Sequence, residues 1–294
     1  MQIIPGQVKT AVLQGYLQGA IAPRPICFAS TVDKDGRPNL SPFSFFNVFG
    51  SNPVTLIFSP ARRVRDNTTK HTLENILETR EVVINVVNYA MVQQASLSSC
   101  EYAKGVNEFE KSGFTPVASE KVKPFRVKES PVQFECIVKE VLSQGTEGGA
   151  GNLIICEPVM IHINEDILNE AGAIDPHKID LVARMGGDYY CRASGDAVFE
   201  VAKPNTSLGI GIDALPLSVR QSNILTGNNL GQLANVHVQP EIDPAFEDEH
   251  LKNIFQYYSI TPEEMEKELH RHAQHLLETG KVAEAWQVLL AGAQ

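Results

Sequence analysis

Ala22-Pro-Arg-Pro-Ile-Cys-Phe-Ala-Ser-Thr-Val-Asp-Lys-Asp-Gly-Arg-Pro-Asn-Leu-Ser-Pro-Phe-Ser-Phe-Phe-Asn47 is the stretch on which the fold class turns. Pro25 to Val32 is rich in apolar and β-branched residues and reads as a strand. Asp33-Lys34-Asp35-Gly36 ends it with turn chemistry. An aromatic stretch, Phe43 to Phe49, follows, and then a second apolar run, Val54 to Phe58. The same signature recurs downstream. Strands are expected at Val82 to Val87, Val132 to Leu142, Leu153 to Ile163 and Tyr189 to Ala193. Gly145 to Gly151 holds four glycines between two of these runs and reads as a hairpin connection. A phosphate-cradling loop is the alternative there, but no Gly-Lys-Ser/Thr follows it.

Helices are few in this part. Thr69 to Glu78 places Leu73, Ile76 and Leu77 at helical spacing. Short helices are expected at Ala90 to Leu97 and Asn107 to Lys111, and Asp175-Pro176 looks like a cap opening a turn or two through Leu181. Many strands and few long helices favour a β-barrel or sandwich over alternating βαβ units.

After Pro204 the pattern changes. Asn205 to Asn229 is punctuated by Ser, Thr, Asn, Gly and Pro, Glu241 to His250 is acidic and reads as solvated surface, and the end is helical. Thr261-Pro-Glu-Glu264 has the form of a capping box. Met265, Leu269, Leu276 and Leu277 form an apolar stripe, Gly280 suits a C-cap, and Lys281 to Leu290 gives a second helix. The expected division is residues 1–204 as a β-rich body and 205–294 as a linker with an appended helical hairpin.

The chain has 294 residues, 43% of them hydrophobic and 20% charged, with a net charge of -10. At about 150 residues per domain this is one large domain or two ordinary ones. The acidic balance argues against a broad nucleic-acid surface, which needs a basic face. No apolar run reaches the ~18 residues of a membrane span. The first residues lack the basic and apolar regions of a secretory signal, so a cytoplasmic protein is expected. Five scattered cysteines without a Cys-x-x-Cys read as reduced, mostly buried thiols. His270, His272 and His275 form a His-x-His-x-x-His pattern, but only the last two share a helical face, so it reads as a solvated face and no metal is expected. His162 reads as an ordinary barrel histidine, with an approach to a flavin or nicotinamide as the alternative.

Ser59 to Asn75 is the chemically richest segment. It gathers Arg62, Arg63, Arg65 and Lys70, the hydroxyls of Ser59, Thr68, Thr69 and Thr72, and a helix start. Those are the parts of an anion site, although a solvated basic loop has the same composition. Upstream, Asn39 to Asn47 alternates small polar residues with Phe43, Phe45 and Phe46. It can wall a planar heterocycle or simply supply core.

Taken with Gly105-Val-Asn-Glu-Phe-Glu-Lys-Ser-Gly-Phe-Thr-Pro116, Glu129-Ser-Pro-Val-Gln-Phe-Glu-Cys136 and Asp175-Pro-His-Lys-Ile-Asp-Leu-Val-Ala-Arg-Met-Gly-Gly-Asp-Tyr-Tyr190, the Ala22–Asn47 stretch resembles the flavin reductase-like family over about residues 10–203. The resemblance implies a mainly β, Greek-key, FMN-binding split β-barrel with short helices and, outside the family pattern, a C-terminal helical extension. It implies that Ser41, Phe43, Ser44 and Asn47 line the flavin ring and ribityl chain, and that Ser59 and Arg62 approach the phosphate side. Lys70 and Thr72 would bind the FMN phosphate, and Arg24 would border the site or a dimer interface. Ser98, Ser99 and Tyr102 would come near the flavin or a neighbouring subunit. His71 stands where many relatives carry an acid, and its role is left open.

A homodimer is implied, as is two-electron chemistry in which NADH or NADPH reduces bound FMN and electrons pass to free flavin, a small acceptor, oxygen or an acceptor protein. No side chain is then required as acid, base or nucleophile. Without a Gly-x-Gly-x-x-Gly after a strand, any nicotinamide would dock transiently. A flavin-binding electron carrier with no nicotinamide site, and a barrel that has lost its cofactor and serves as a scaffold, are the alternatives.

Overall fold

The computed structural model describes residues 1–204 and 208–292. The chain forms two compact units, Met1–Phe199 and Glu200–Gln294. The boundary expected between 204 and 205 touches residues 205–207, which lie outside the described residues.

The first unit opens with helix α1 (Thr10–Ala20), and its core is a seven-stranded antiparallel sheet. In chain order the strands are β1 (Cys27–Val32), β2 (Pro38–Phe43), β3 (Phe46–Ser51), β4 (Val54–Phe58), β5 (Glu81–Val86), β8 (Val132–Ser143) and β9 (Asn152–Ile163), and in space they run β2-β1-β5-β8-β9-β4-β3. Between them lie α2 (His71–Thr79), α3 (Val92–Leu97), α4 (Glu108–Ser112) and a small pair, β6 (Pro116–Val117) with β7 (Arg126–Val127). A second small pair, β10 (Val182–Arg184) with β11 (Tyr190–Arg192), closes the unit.

The sheet curls on itself. Phe43 on β2 and Phe58 on β4 lie near opposite margins of the strand order, yet their rings are 5.4 Å apart. Cys27, Ala29, Ile84, Cys136, Val138, Ile154 and Cys156 join them in one buried cluster, sealed by Leu73 and Ile76 of α2. The other face of β1 and β2 is buried as well. Phe28 and Leu40 pack with Met91, Ala95, Phe109, Phe114 and Val127 from the short helices and β7. Every residue of β1 is therefore buried, Ser30 and Thr31 included, which is why its sequence shows no alternation of apolar and charged residues. The edge strands β2 and β3 are joined through Ser44 and Phe45 but share no ladder, so the barrel stays open along one seam.

The expected strands are present within a residue or two. α1 and β10 were not expected. Asp175 caps only a turn: its Oδ1 accepts from His177 and Lys178 N–H at 2.8 and 3.2 Å, and no helix follows. Cys27, Cys136 and Cys156 are buried, Cys191 is half-buried and Cys100 is exposed.

The second unit holds α5 (Leu217–Arg220), α6 (Gly227–Ala234), α7 (Glu249–Tyr258), α8 (Pro262–Glu278) and α9 (Val282–Ala291), which is more than the expected hairpin. Its core gathers Leu233, Ile254, Leu269, Ala273, Leu277, Ala285 and Val288 around the fully buried Trp286, whose Nε1 donates to the Leu233 carbonyl at 3.2 Å. The capping box is absent, because Thr261 makes no side-chain cap and its hydroxyl donates back to the Tyr258 carbonyl. Gly280, at φ +77°, follows the end of α8 in the left-handed conformation a C-terminal glycine supplies. Two readings of exposure also change. His270 is buried in the bundle, and Asp248, within the acidic stretch, caps α7 through Leu251 N–H at 2.7 Å and meets His272 Nε2 at 2.9 Å.

Candidate functional site

The basic segment after β4 is held in shape by its own residues and by the β8–β9 connection. Arg62 N–H donates to the Ala150 carbonyl at 2.9 Å, and Gly149 N–H to the Arg62 carbonyl at 3.0 Å. The expected glycine hairpin thus braces the segment that delivers Lys70 to the start of α2. No side chain caps that helix, so its first amides keep the donor capacity that anions use at helix N-termini.

Two adjoining hollows meet at Lys70. The larger, of about 490 Å³, is lined by Pro42 and Phe43 at the end of β2 and Ser44 just after it, by Val92, Ala95, Ser96 and Ser99 around α3, and by Gln18, Arg184, Asp188 and Tyr190. The narrower recess is bounded by Asn39, Ser41, Lys70, His71, Thr72, Ser98, Ser99 and Glu108, with Arg63, Glu101 and Tyr102 at its rim. Lys70 and Ser99 belong to both.

Lys70 makes no ion pair and no side-chain hydrogen bond among the described residues. Burial, and then the neighbouring Arg63 charge, lower its pKa from the ordinary lysine value, with Glu101 opposing. A cation desolvated in this way beside a second cation gains from a bound anion. Most hydroxyls around it are already committed. Thr72 Oγ1 donates to Asn39 Oδ1 at 2.8 Å, Ser98 Oγ to the Ala95 carbonyl at 2.8 Å and Ser99 Oγ to the Ser96 carbonyl at 2.6 Å. Ser41 Oγ has no protein partner among the described residues. Lys70, Ser41 and the first amides of α2 are therefore the donors at hand.

Behind the recess, Glu108 is buried. It accepts Asn39 Nδ2 at 2.9 Å and Leu40 N–H at 3.1 Å. Burial raises its pKa, and those hydrogen bonds only partly oppose the rise. This chain fixes Asn39 so that its oxygen faces Thr72, which then presents lone pairs, not a proton, to the recess.

Five of the nine expected site residues come together here: Ser41 and Thr72 in the recess, Phe43 and Ser44 in the larger hollow, and Lys70 between them. Four do not. Arg24 is buried and spends its guanidinium on the Gln18, Ile21 and Met185 carbonyls and on Ser44 Oγ. Asn47 is exposed on β3, with its Oδ1 turned back to Val48 N–H at 2.8 Å. Ser59 Oγ accepts Asn152 N–H at 3.1 Å. Arg62 is clamped by the Oδ1 and carbonyl of Asn67, both at 2.6 Å, and lines an open basin that adjoins the recess through Arg63, His71, Glu101 and Tyr102 without reaching into it.

His162 finds an ordinary partner, its Nε2 lying 2.7 Å from buried Glu135. Gln18, Arg184, Asp188 and Tyr190 were missed, because they reach the hollow through long-range contacts that no local pattern announces.

Residues 20–179 match the flavin reductase like domain family. An uncharacterized protein of Aquifex aeolicus (strain VF5) is 35% identical over 201 residues, covering 68% of this chain and 100% of that protein. Among solved structures, nitrilotriacetate monooxygenase component B from Bacillus cereus superposes with a TM-score of 0.63 at 27% identity, over 68% of this chain and 98% of its own. A protein of flavin reductase type with a split barrel domain, from Shewanella frigidimarina NCIMB 400, gives 0.58 at 27% identity, over 67% and 95%. With the match extending over more than half the chain and the open-seamed barrel seen directly, this protein belongs to the flavin reductase-like domain family and has its split-barrel fold.

Proposed function

We propose that the protein is an FMN-dependent oxidoreductase that takes reducing equivalents from NADH or NADPH and delivers them to free flavin, a small acceptor or an acceptor protein. The observation that carries the reading is Lys70: a desolvated cation with no ion pair among the described residues, placed where a narrow recess opens into a hollow of about 490 Å³. That volume lies within the range of small-molecule sites. Lys70, Ser41 and the α2 amides would hold the phosphate. Phe43 and Pro42 would cover the ring, and Ser44 and Ser96 would meet its polar edge. When bound, the flavin supplies the redox chemistry itself. The protein's part is to bind, orient and shield it.

A homodimer is part of the proposal. Val159, Ile161 and Ile163 recur at every second position of β9 and are 43%, 46% and 44% exposed, an apolar row that a second copy would cover.

Adding FMN to purified protein should give a bound-flavin spectrum that NADH or NADPH bleaches without oxygen. An unchanged free-FMN spectrum refutes cofactor binding. A bound spectrum that neither nucleotide bleaches removes the nicotinamide step and leaves an electron carrier.

A further inference from the structure

The larger hollow contains a second cationic feature besides Lys70. Arg184 ends β10 on its wall. Its guanidinium lies over the Tyr190 ring, 4.6 Å from the centroid, and one nitrogen donates to the Gly187 carbonyl at 2.8 Å. No carboxylate pairs with it among the described residues, although Asp188 lines the same hollow. Arg24 is its backbone partner: each N–H donates to the other's carbonyl at 2.9 Å. Arg24 is buried and bonded only to carbonyls and Ser44, also without a carboxylate. Burial, and then the charge of Arg184, lower the Arg24 pKa from its ordinary value, so the two guanidinium groups feel one another. Two neighbouring arginines with no carboxylate partner among the described residues, in a chain of net charge -10, together favour an anion beside them.

We propose that Arg184, propped on Tyr190 and backed by Arg24, is a second anion subsite of this hollow, which grips an oxyanion of the molecule that exchanges electrons with the flavin. The ligand class is a phosphoryl or carboxylate group on a planar redox partner. It comes either from the phosphates of a nicotinamide dinucleotide or from the carboxylate of an organic acceptor. The planar guanidinium fork suits both. The inference rests on the FMN reading above, since it assigns the second occupant of the same hollow.

The test is equilibrium titration of FMN-loaded protein with unreactive probes, followed by perturbation of the flavin absorbance. The probes are NAD⁺, NADP⁺, benzoate and uncharged nicotinamide. At least one charged probe should saturate, and its Kd should rise with added NaCl while that of nicotinamide does not. Arg184→Gln should weaken that probe by about tenfold or more, and Arg184→Lys by less, with the FMN Kd unchanged within about twofold. A response to the dinucleotides alone assigns the phosphoryl source, and a response to benzoate alone assigns the carboxylate source. Salt-independent binding in the wild type, no response to any charged probe, or equal Kd values in wild type and Arg184→Gln each overturn the subsite. If Arg184→Gln does not fold, the wild-type salt dependence and Arg184→Lys decide. Failure of FMN itself to bind would instead refute the reading beneath it.

Discussion

Lys70 shows how much one position can carry. Its ammonium is partly desolvated, sits near Arg63 and has no side-chain partner among the described residues, so its removal should be felt by the ligand far more than by the fold. Lys70→Ala is expected to weaken FMN by about tenfold to a hundredfold, and riboflavin, which lacks the phosphate, much less. Quenching of flavin fluorescence on titration measures both. Equal losses for the two ligands would move the phosphate elsewhere.

Glu135 is the contrasting residue, a buried carboxylate with a structural task. It accepts Glu120 and Lys121 N–H at 2.9 and 2.6 Å and meets His162 at 2.7 Å. Burial alone would raise its pKa, but these bonds outweigh burial and the net shift is downward. Its stabilising contribution is therefore full above the ordinary glutamate value of about 4.3 and is lost as pH falls through the lowered value. Glu135→Ala should cost about 3 kcal/mol at pH 7 and flatten the acid limb of a denaturation-against-pH curve. At this scale local chemistry marked residues that the fold brings to the two hollows, Ser41, Phe43, Ser44, Lys70 and Thr72. It gave no sign that the polar atoms of Arg24, Ser59 and Arg62 are taken up by carbonyls and amides that only the folded chain brings near.

Among the elements, the β8–β9 connection matters beyond joining two strands. A Cβ on Gly148 would lie 3.0 Å from the Arg63 carbonyl oxygen and 3.1 Å from that of Val64, both backbone atoms that a side chain cannot push aside cheaply. Gly148→Val should therefore destabilise the first unit by about 1–3 kcal/mol in thermal unfolding. It should also loosen FMN, because the displaced segment is the one that leads to Lys70. Unchanged affinity would separate the brace from the binding site.

β1, β4, β5, β8, β9 and α2 were legible because each is an apolar or helically spaced run bounded by turn or polar residues. α1 escaped because it buries none of its residues. The capping box at Thr261 had the right letters, but the hydroxyl found a nearer acceptor in the preceding turn.

For the molecule as a whole, the described chain resolves into Met1–Phe199 and Glu200–Gln294, each with its own core. The whole Aquifex aeolicus relative aligns with 68% of this chain, so a protein of that length has no counterpart for the rest. A chain ending at Phe199 is accordingly expected to fold and to bind FMN with an affinity within about threefold of the full chain, a free-energy difference within a surface-level change. Loss of binding would make the helical unit part of the site. Ile161→Glu should convert a dimer to a monomer in light scattering, and an unchanged mass would remove β9 from the interface. The sequence marked the change of character after Pro204 but reduced the helices to a pair, because α5 and α6 lie in a stretch dense with Gly, Asn and Ser.

The chain's single tryptophan, Trp286, lies wholly in the core of the second unit. Indole emission therefore belongs to that unit alone, free of any background from the barrel. The isoalloxazine absorbs in the same near-ultraviolet band, so a loaded protein would carry one Förster donor in one unit and one acceptor in the other. The donor's lifetime, with and without cofactor, becomes a ruler between the two units that needs no engineered label.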